Sequence, residues 1–236
     1  MANFVTKHIP NTLTSCNLIS GCIATVFALN ANYGMALAFI IIGAVFDFFD
    51  GMSARLLGVS SPIGKELDSL ADDVTFGVAP SSMIFSLLLT LDKPEVLAPV
   101  ESVVPYLAFI MAAFSALRLA KFNLDERQAT LFIGMPTPAN ALFWGALIVG
   151  SEEWLASTPN IIYLILVMIF VCSWLLVAEI PMFALKFKHW GWHDNKIKYV
   201  FVISCLPILL IFGITGISVI IAWYIILSIT TTKKDA

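Results

Sequence analysis

Asp47 and Asp50 stand three residues apart, Asp68 and Asp72 stand four apart, and Glu66 and Asp73 lie beside the second pair. In a helix either spacing puts both carboxylates on one face. Both pairs fall within or at the rim of long apolar stretches. Ionisable groups are costly there and mark ion sites, proton paths or catalysis. The connector between the two stretches is short, so the helices are expected to be antiparallel neighbours with the pairs facing each other. Four carboxylates converging in a partly desolvated pocket repel strongly. A divalent cation resolves the repulsion. Ligands that are all hard oxygens suit Mg²⁺, Mn²⁺ or Ca²⁺, not zinc or copper.

Small residues surround the same acids. Gly51 follows Asp50, Ala54 lies one turn on, and Gly64 ends the connector. A missing side chain lets a ligand approach the backbone. Arg55 adds a planar fork suited to phosphate. Together these residues point to a metal-bound pyrophosphate or phosphate diester at a membrane surface. Taken singly, Asp47 with Arg55, or Lys65 with Asp68, would serve as a structural ion pair at a helix end. The whole set, four aspartates at these spacings with Gly51, Ala54, Arg55 and Gly64, asks for more than that. A cation or proton transporter is the rival from another class. Such proteins place ionisable groups near the bilayer midplane on broken helices, whereas this cluster lies at one rim.

The elements that must position these residues are membrane helices. Of the 236 residues, 59% are hydrophobic and 12% charged, against roughly 45–50% and about 25% in a soluble domain. Such a chain has too little polar surface to coat a globule, and no basic tract for nucleic acid to bind. At roughly 20 residues per crossing, it has room for about eight spans. They are predicted over Thr12–Asn30, Met35–Leu57, Lys65–Leu91, Ser102–Lys121, Pro138–Gly150, Pro159–Leu185, Tyr199–Phe212 and Gly216–Thr230. Residues 3–10 read as a short helix on the membrane surface. No internal repeat is visible, and residues 1–236 read as one domain. The start of the chain lacks the basic-then-apolar build of a cleavable signal, so the first span is expected to be retained. Cys16, Cys22, Cys172 and Cys205 sit in apolar stretches and read as small buried thiols. His8, His189 and His193 show no metal-like spacing. Glu179, just before Pro181, reads as a structural hydrogen-bonding group.

Charge placement fits an even number of spans with the N-terminus inside. In that layout Lys7, Arg55, Lys65, Arg118, Lys121, Arg127, Lys186, Lys188, Lys196, Lys198, Lys233 and Lys234 are cytoplasmic. Of the 13 Lys and Arg, only Lys93 lies outside, as short-loop bias requires. The outer loops carry Asp92, Glu95, Glu101, Glu152 and Glu153. Trp190, Trp192 and Tyr199 would form an inner interfacial belt, and Tyr33, Tyr106 and Trp154 an outer one.

The run Asp47-x2-Asp50-Gly51-x2-Ala54-Arg55-x8-Gly64-x3-Asp68-x3-Asp72 resembles the signature of the CDP-alcohol phosphatidyltransferases at every position. The opening Pro10-Asn11-Thr12-Leu13-Thr14 is similar to the segment before the first span of that family. Three further runs resemble its serine-using, phosphatidylserine-forming branch. They are Asp68 to Pro80 (DSLADDVTFGVAP), Ala116 to Asn123 (ALRLAKFN) and Phe132 to Ala139 (FIGMPTPA). Met135 and Asn140 depart from that branch, which would have Leu and Ala. The last two spans, about 199–230, carry no motif of the family and read as peripheral.

The resemblance implies a six-helix core within a polytopic all-α protein of the cell membrane, with a site open to the cytoplasm and a homodimeric assembly. The implied reaction joins CDP-diacylglycerol and L-serine to give phosphatidylserine and CMP. Glycerol phosphate or inositol phosphate is the acceptor in other branches. Asp47, Asp50, Asp68 and Asp72 would hold one or two Mg²⁺ or Mn²⁺ ions, and Asp72 would take the proton of the serine hydroxyl. Gly51 and Ala54 would let the cytidine pack on the second span, and Asn11 and Thr14 would add hydrogen bonds to the nucleotide. For serine, Arg118 is the first choice for carboxylate or phosphate, with Lys121 and Asn123 beside it. Asp73 would either meet the ammonium or face a neighbouring helix, and Lys121 would serve equally well as an interfacial anchor.

Overall fold

Helix signals around the short connector set the geometry of the site. Asn32 begins α2 (Tyr33–Leu57) by accepting a hydrogen bond from the Met35 N–H at 3.2 Å. Gly58 ends it in the left-handed region at φ 62°, where a residue without Cβ is favoured. Ser61 then caps α3 (Pro62–Asp72), accepting from the Gly64 N–H at 3.0 Å, and Pro62 occupies the first turn. The chain reverses between the two helices, and both pack on the first helix of the chain (Phe4–Leu29) rather than along each other.

The computed structural model describes residues 4–59, 61–125, 132–182 and 191–232. The chain begins with α1 (Phe4–Leu29) and continues through α2 and α3. A π-helical turn (Asp73–Val78) joins α3 to α4 (Ala79–Thr90) without a break in the helical path. Two 3₁₀ turns (Glu95–Val100 and Val104–Ala108) lead into α5 (Phe109–Leu124). The remaining elements are β1 (Phe132–Ile133), α6 (Thr137–Ser157), α7 (Ile161–Val177), β2 (Pro181–Met182), α8 (Trp192–Phe212) and α9 (Thr215–Thr232). The two short strands pair antiparallel, Phe132 opposite Met182.

Five of these helical paths are long and apolar enough to cross a membrane: His8–Leu29, Tyr33–Leu57, Pro62–Thr90, Val104–Leu124 and Asn195–Phe212. α7 and α9 are shorter apolar helices. Large apolar side chains such as Phe48, Leu210 and Ile211 lie on the outer surface, where lipid takes the place of water. The protein is an all-α, polytopic, membrane-embedded chain.

The core holds Ile40, Phe76, Met83, Ile84, Trp144 and Ile165, drawn from α2, the π-helical turn, α4, α6 and α7. α1 lies along α2 and also packs on α3, the π turn and α4. Gly21 and Gly43 allow that approach. A Cβ on Gly21 would stand 2.8 Å from Thr75 Cα and 2.9 Å from its N. One on Gly43 would stand 2.6 Å from Thr75 Cγ2. Thr75 locks the crossing by donating its hydroxyl to the Asn17 carbonyl at 3.1 Å.

Several boundaries differ from the sequence reading. The surface helix expected over residues 3–10 is continuous with the first span: Pro10 sits inside α1. The fifth predicted span runs on to Ser157, with non-helical geometry at Ser151. The sixth stops at Val177, and the chain turns into β2. Arg127, Lys186, Lys188, Lys233 and Lys234, assigned to the inner side, Trp190 of the expected inner belt, and His189 lie outside the described residues.

Candidate active site

α2 and α3 bring three carboxylates together. Oxygens of Asp47, Asp50 and Asp68 all lie within 4.8 Å of one another. Asp50 is buried and Asp47 and Asp68 are half-buried. Asp50 is held from α1, where the Thr14 hydroxyl donates to its Oδ2 at 2.5 Å. Asp72 is half-buried and lies outside that trio. Its Oδ1 accepts from Asn17 Nδ2 at 3.1 Å, and its carboxyl is in direct charge interaction with Asp47, Asp68 and Asp50. Among the described residues, no Lys or Arg forms an ion pair with any of the four.

Removing a carboxylate from water without compensation costs several kcal/mol. Three carboxylates that converge with no ion pair among the described residues could hold a metal ion. All the oxygens are hard donors, which fits Mg²⁺ or Mn²⁺. The donor set fits a divalent ion held by Asp47, Asp50 and Asp68, with Asp72 adjacent.

Beside Asp50 and Asp68 opens a cavity of about 1000 Å³. That is at the upper end of the roughly 300–1,000 Å³ usual for ligand pockets, enough for a nucleotide. Asn11, Thr14, Gly51, Ala54, Arg55 and Gly64 all line it, so the sequence-assigned nucleotide residues share one wall. A Cβ on Gly51 would meet nothing within 4 Å. Protein packing therefore does not demand a glycine there, while a ligand in the cavity would. Gly64 is different: a Cβ there would stand 2.9 Å from Asn11 Oδ1, so it lets α1 come close.

Sequence reasoning missed three residues of the site. His8 and Lys65 line the cavity together with Asp50 and Asp68. Asn17 holds Asp72. The available signal was an amide three residues after Thr14 within an apolar span, hence on the same helix face.

The residues assigned to serine divide. Arg118 is buried on α5, with Nη1 3.5 Å from Thr137 Oγ1 and its guanidinium 5.5 Å from the centre of the Phe122 ring. It is in charge interaction with Asp72. Asp73 follows Asp72 in the π turn. Lys121 is exposed. Asn123 ties α5 to α3: its amide donates to Ser69 Oγ at 2.8 Å, and its carbonyl accepts from Lys65 Nζ at 2.9 Å. That tie holds Asn123 to α3 near the cavity wall.

The sequence model of the CDP-alcohol phosphatidyltransferase family matches residues 7–182. The chain is 42% identical over 133 residues to the CDP-diacylglycerol–serine O-phosphatidyltransferase of Bacillus subtilis (strain 168), covering 56% of this chain and 70% of that protein. It is 33% identical over 181 residues to the protein of the same name from Mycobacterium leprae (strain TN), covering 74% of this chain but only 57% of the relative. With the namesake from Helicobacter pylori (strain ATCC 700392 / 26695) it shares 27% identity over 222 residues, 93% of this chain and 89% of the other.

Proposed function

The chain belongs to the CDP-alcohol phosphatidyltransferase family, and from that premise we propose that it transfers the phosphatidyl group of CDP-diacylglycerol to the hydroxyl of L-serine. The products are phosphatidylserine and CMP. The observation that carries this reading is the position of the carboxylate cluster: it borders a nucleotide-sized cavity lined by Gly51, Ala54 and Arg55. The serine acceptor is supported by the names of the relatives and by the buried Arg118 beside Asp72.

The residues divide the work. The cavity wall of Asn11, Gly51, Ala54 and Arg55 takes the cytidine and phosphates, while the acyl chains stay in the bilayer. Asp47, Asp50 and Asp68, with Asp72 beside them, hold one or two Mg²⁺ or Mn²⁺ ions. Such an ion offsets charge on the pyrophosphate and on the departing CMP. Thr14 fixes Asp50 and Asn17 fixes Asp72. Asp72 takes the proton of the attacking serine hydroxyl, and Arg118 receives the serine carboxylate as a two-pronged donor. The site faces the cytoplasm at the inner leaflet of the cell membrane, and the working assembly is a homodimer.

A product assay with a panel of acceptors tests the reading. Purified protein with CDP-diacylglycerol and a divalent ion is expected to release CMP and form phosphatidylserine with serine. Equal use of glycerol phosphate or inositol phosphate would remove the serine assignment. Uptake of a divalent ion into sealed vesicles without CDP-diacylglycerol would favour transport instead.

A further inference from the structure

Beside the carboxylate cluster lies a second group of polar atoms. Asp73 Oδ1, Ser115 Oγ and Arg118 Nε are buried and have no hydrogen-bond partner among the described residues. Leaving each of them unpaired costs about 1–3 kcal/mol, so a ligand that pairs them is the physical expectation. Ser115 and Arg118 are three apart on α5 and share a face. They are 0% and 8% exposed. α5 packs on the π-helical turn that carries Asp73 and Gly77.

Gly77 lets these groups come together. A Cβ there would stand 2.7 Å from Asp73 Oδ1 and 3.0 Å from Ser115 Oγ, so both oxygens pack against this glycine and a side chain at this position would push them apart. The three side chains offer a guanidinium, a carboxylate oxygen and a hydroxyl. That set complements a small zwitterion. Its carboxylate would face Arg118, and two of its three ammonium protons would face Asp73 and Ser115.

Resting on the serine-transfer reading above, we propose that Asp73 and Ser115 bind the ammonium of an α-amino-acid acceptor, and that Gly77 is the specificity-determining position that lets their two oxygens stand together. The pocket then reads the ammonium, not the hydroxyl, as the mark of the correct acceptor.

Glycerate is the probe, because it replaces the ammonium of serine by a hydroxyl and keeps the rest. Its KM or inhibition constant is measured beside the KM values for serine and CDP-diacylglycerol. In the unaltered protein glycerate is expected to bind at least about tenfold more weakly than serine, the scale of a charged hydrogen bond. Asp73→Asn should raise the serine KM about tenfold, leaving the constants for glycerate and CDP-diacylglycerol unchanged. Gly77→Ala should reproduce that pattern without a change of charge. Ser115→Ala adds no bulk and so guards against misfolding; it should raise the serine KM about fivefold. Glycerate binding as tightly as serine to the unaltered protein overturns the inference. So do variants that shift serine and glycerate alike, or neither. If the unaltered protein transfers to no serine at all, the serine reading falls and this inference with it; retained transfer with unshifted constants overturns this inference alone.

Discussion

Asp72 and Asp50 are both carboxylates on the signature, yet their surroundings separate them. Asp50 lines the cavity and accepts from a hydroxyl. Asp72 is not one of the three converging carboxylates and accepts from the amide of Asn17. That difference suits Asp50 to an ion and Asp72 to a proton. Asp72→Asn is expected to lower kcat by at least about a hundredfold, the usual share of a general base, while the KM for CDP-diacylglycerol stays within about twofold. Full turnover in that variant would exclude Asp72 as base. Asn17→Ala should reproduce part of the effect, about tenfold in kcat, through loss of one hydrogen bond to a charged group. Gly51 gives a sharper contrast. Because a Cβ there meets no protein atom within 4 Å, Gly51→Val should leave thermal stability unchanged and raise the KM for CDP-diacylglycerol. A drop in Tm with an unaltered KM would assign this glycine to packing instead of the ligand.

The aspartate pairs could be read from the sequence because helical spacing alone puts each on one face. Their convergence could be read too, because Gly58, Ser61 and Pro62 leave no room for anything but a tight return. The π-helical turn could not. Asp73 to Val78 carries no local signal that distinguishes π from α geometry; packing against Gly21, Gly43 and α5 decides it. The end of α1 was equally hidden, because Pro10 reads as a helix break and the structure runs the helix through it. The α1 crossing gives a test at this scale. Gly21→Val would press on the backbone of Thr75, which cannot rotate away. A loss of about 1–3 kcal/mol of stability is expected, read as a lower Tm in detergent. Unchanged stability would mean that α1 does not sit against the π turn. α9 explains what the last helices do for the site. It buries Ile221 against Met135, Leu175 and Met182. Met135 precedes Thr137, the hydroxyl beside Arg118.

Over the whole molecule, composition alone made a membrane protein the only reasonable class, and the apolar outer faces of α2 and α8 agree with it. The number of crossings was less legible. Length and hydropathy single out five long helices, whereas α6, α7 and α9 are shorter or more polar. A short apolar helix reads alike whether it spans, tilts or leans on a neighbour. The orientation is an expectation from charge placement alone: Lys65, which lines the cavity, is assigned to the inside, and Lys93, which pairs with Glu101 at 3.4 Å in the loop before α5, to the outside. A cysteine placed at Lys65 should be labelled from the cytoplasmic side of intact cells, and one at Lys93 from the opposite side. Labelling of both from one side would break the layout.

α2 and α3 gather acidic oxygens beside the cavity, and the proposed reaction needs a cation shared among them. Titration of the purified protein with Mn²⁺, followed by electron paramagnetic resonance, reads that directly. The free-ion signal is expected to disappear as one or two ions bind, to change again when CDP-diacylglycerol is added, and to persist undiminished in the variant carrying both Asp50→Asn and Asp68→Asn. Mn²⁺ binding that survives in that variant, or no binding by the unaltered protein, would contradict it.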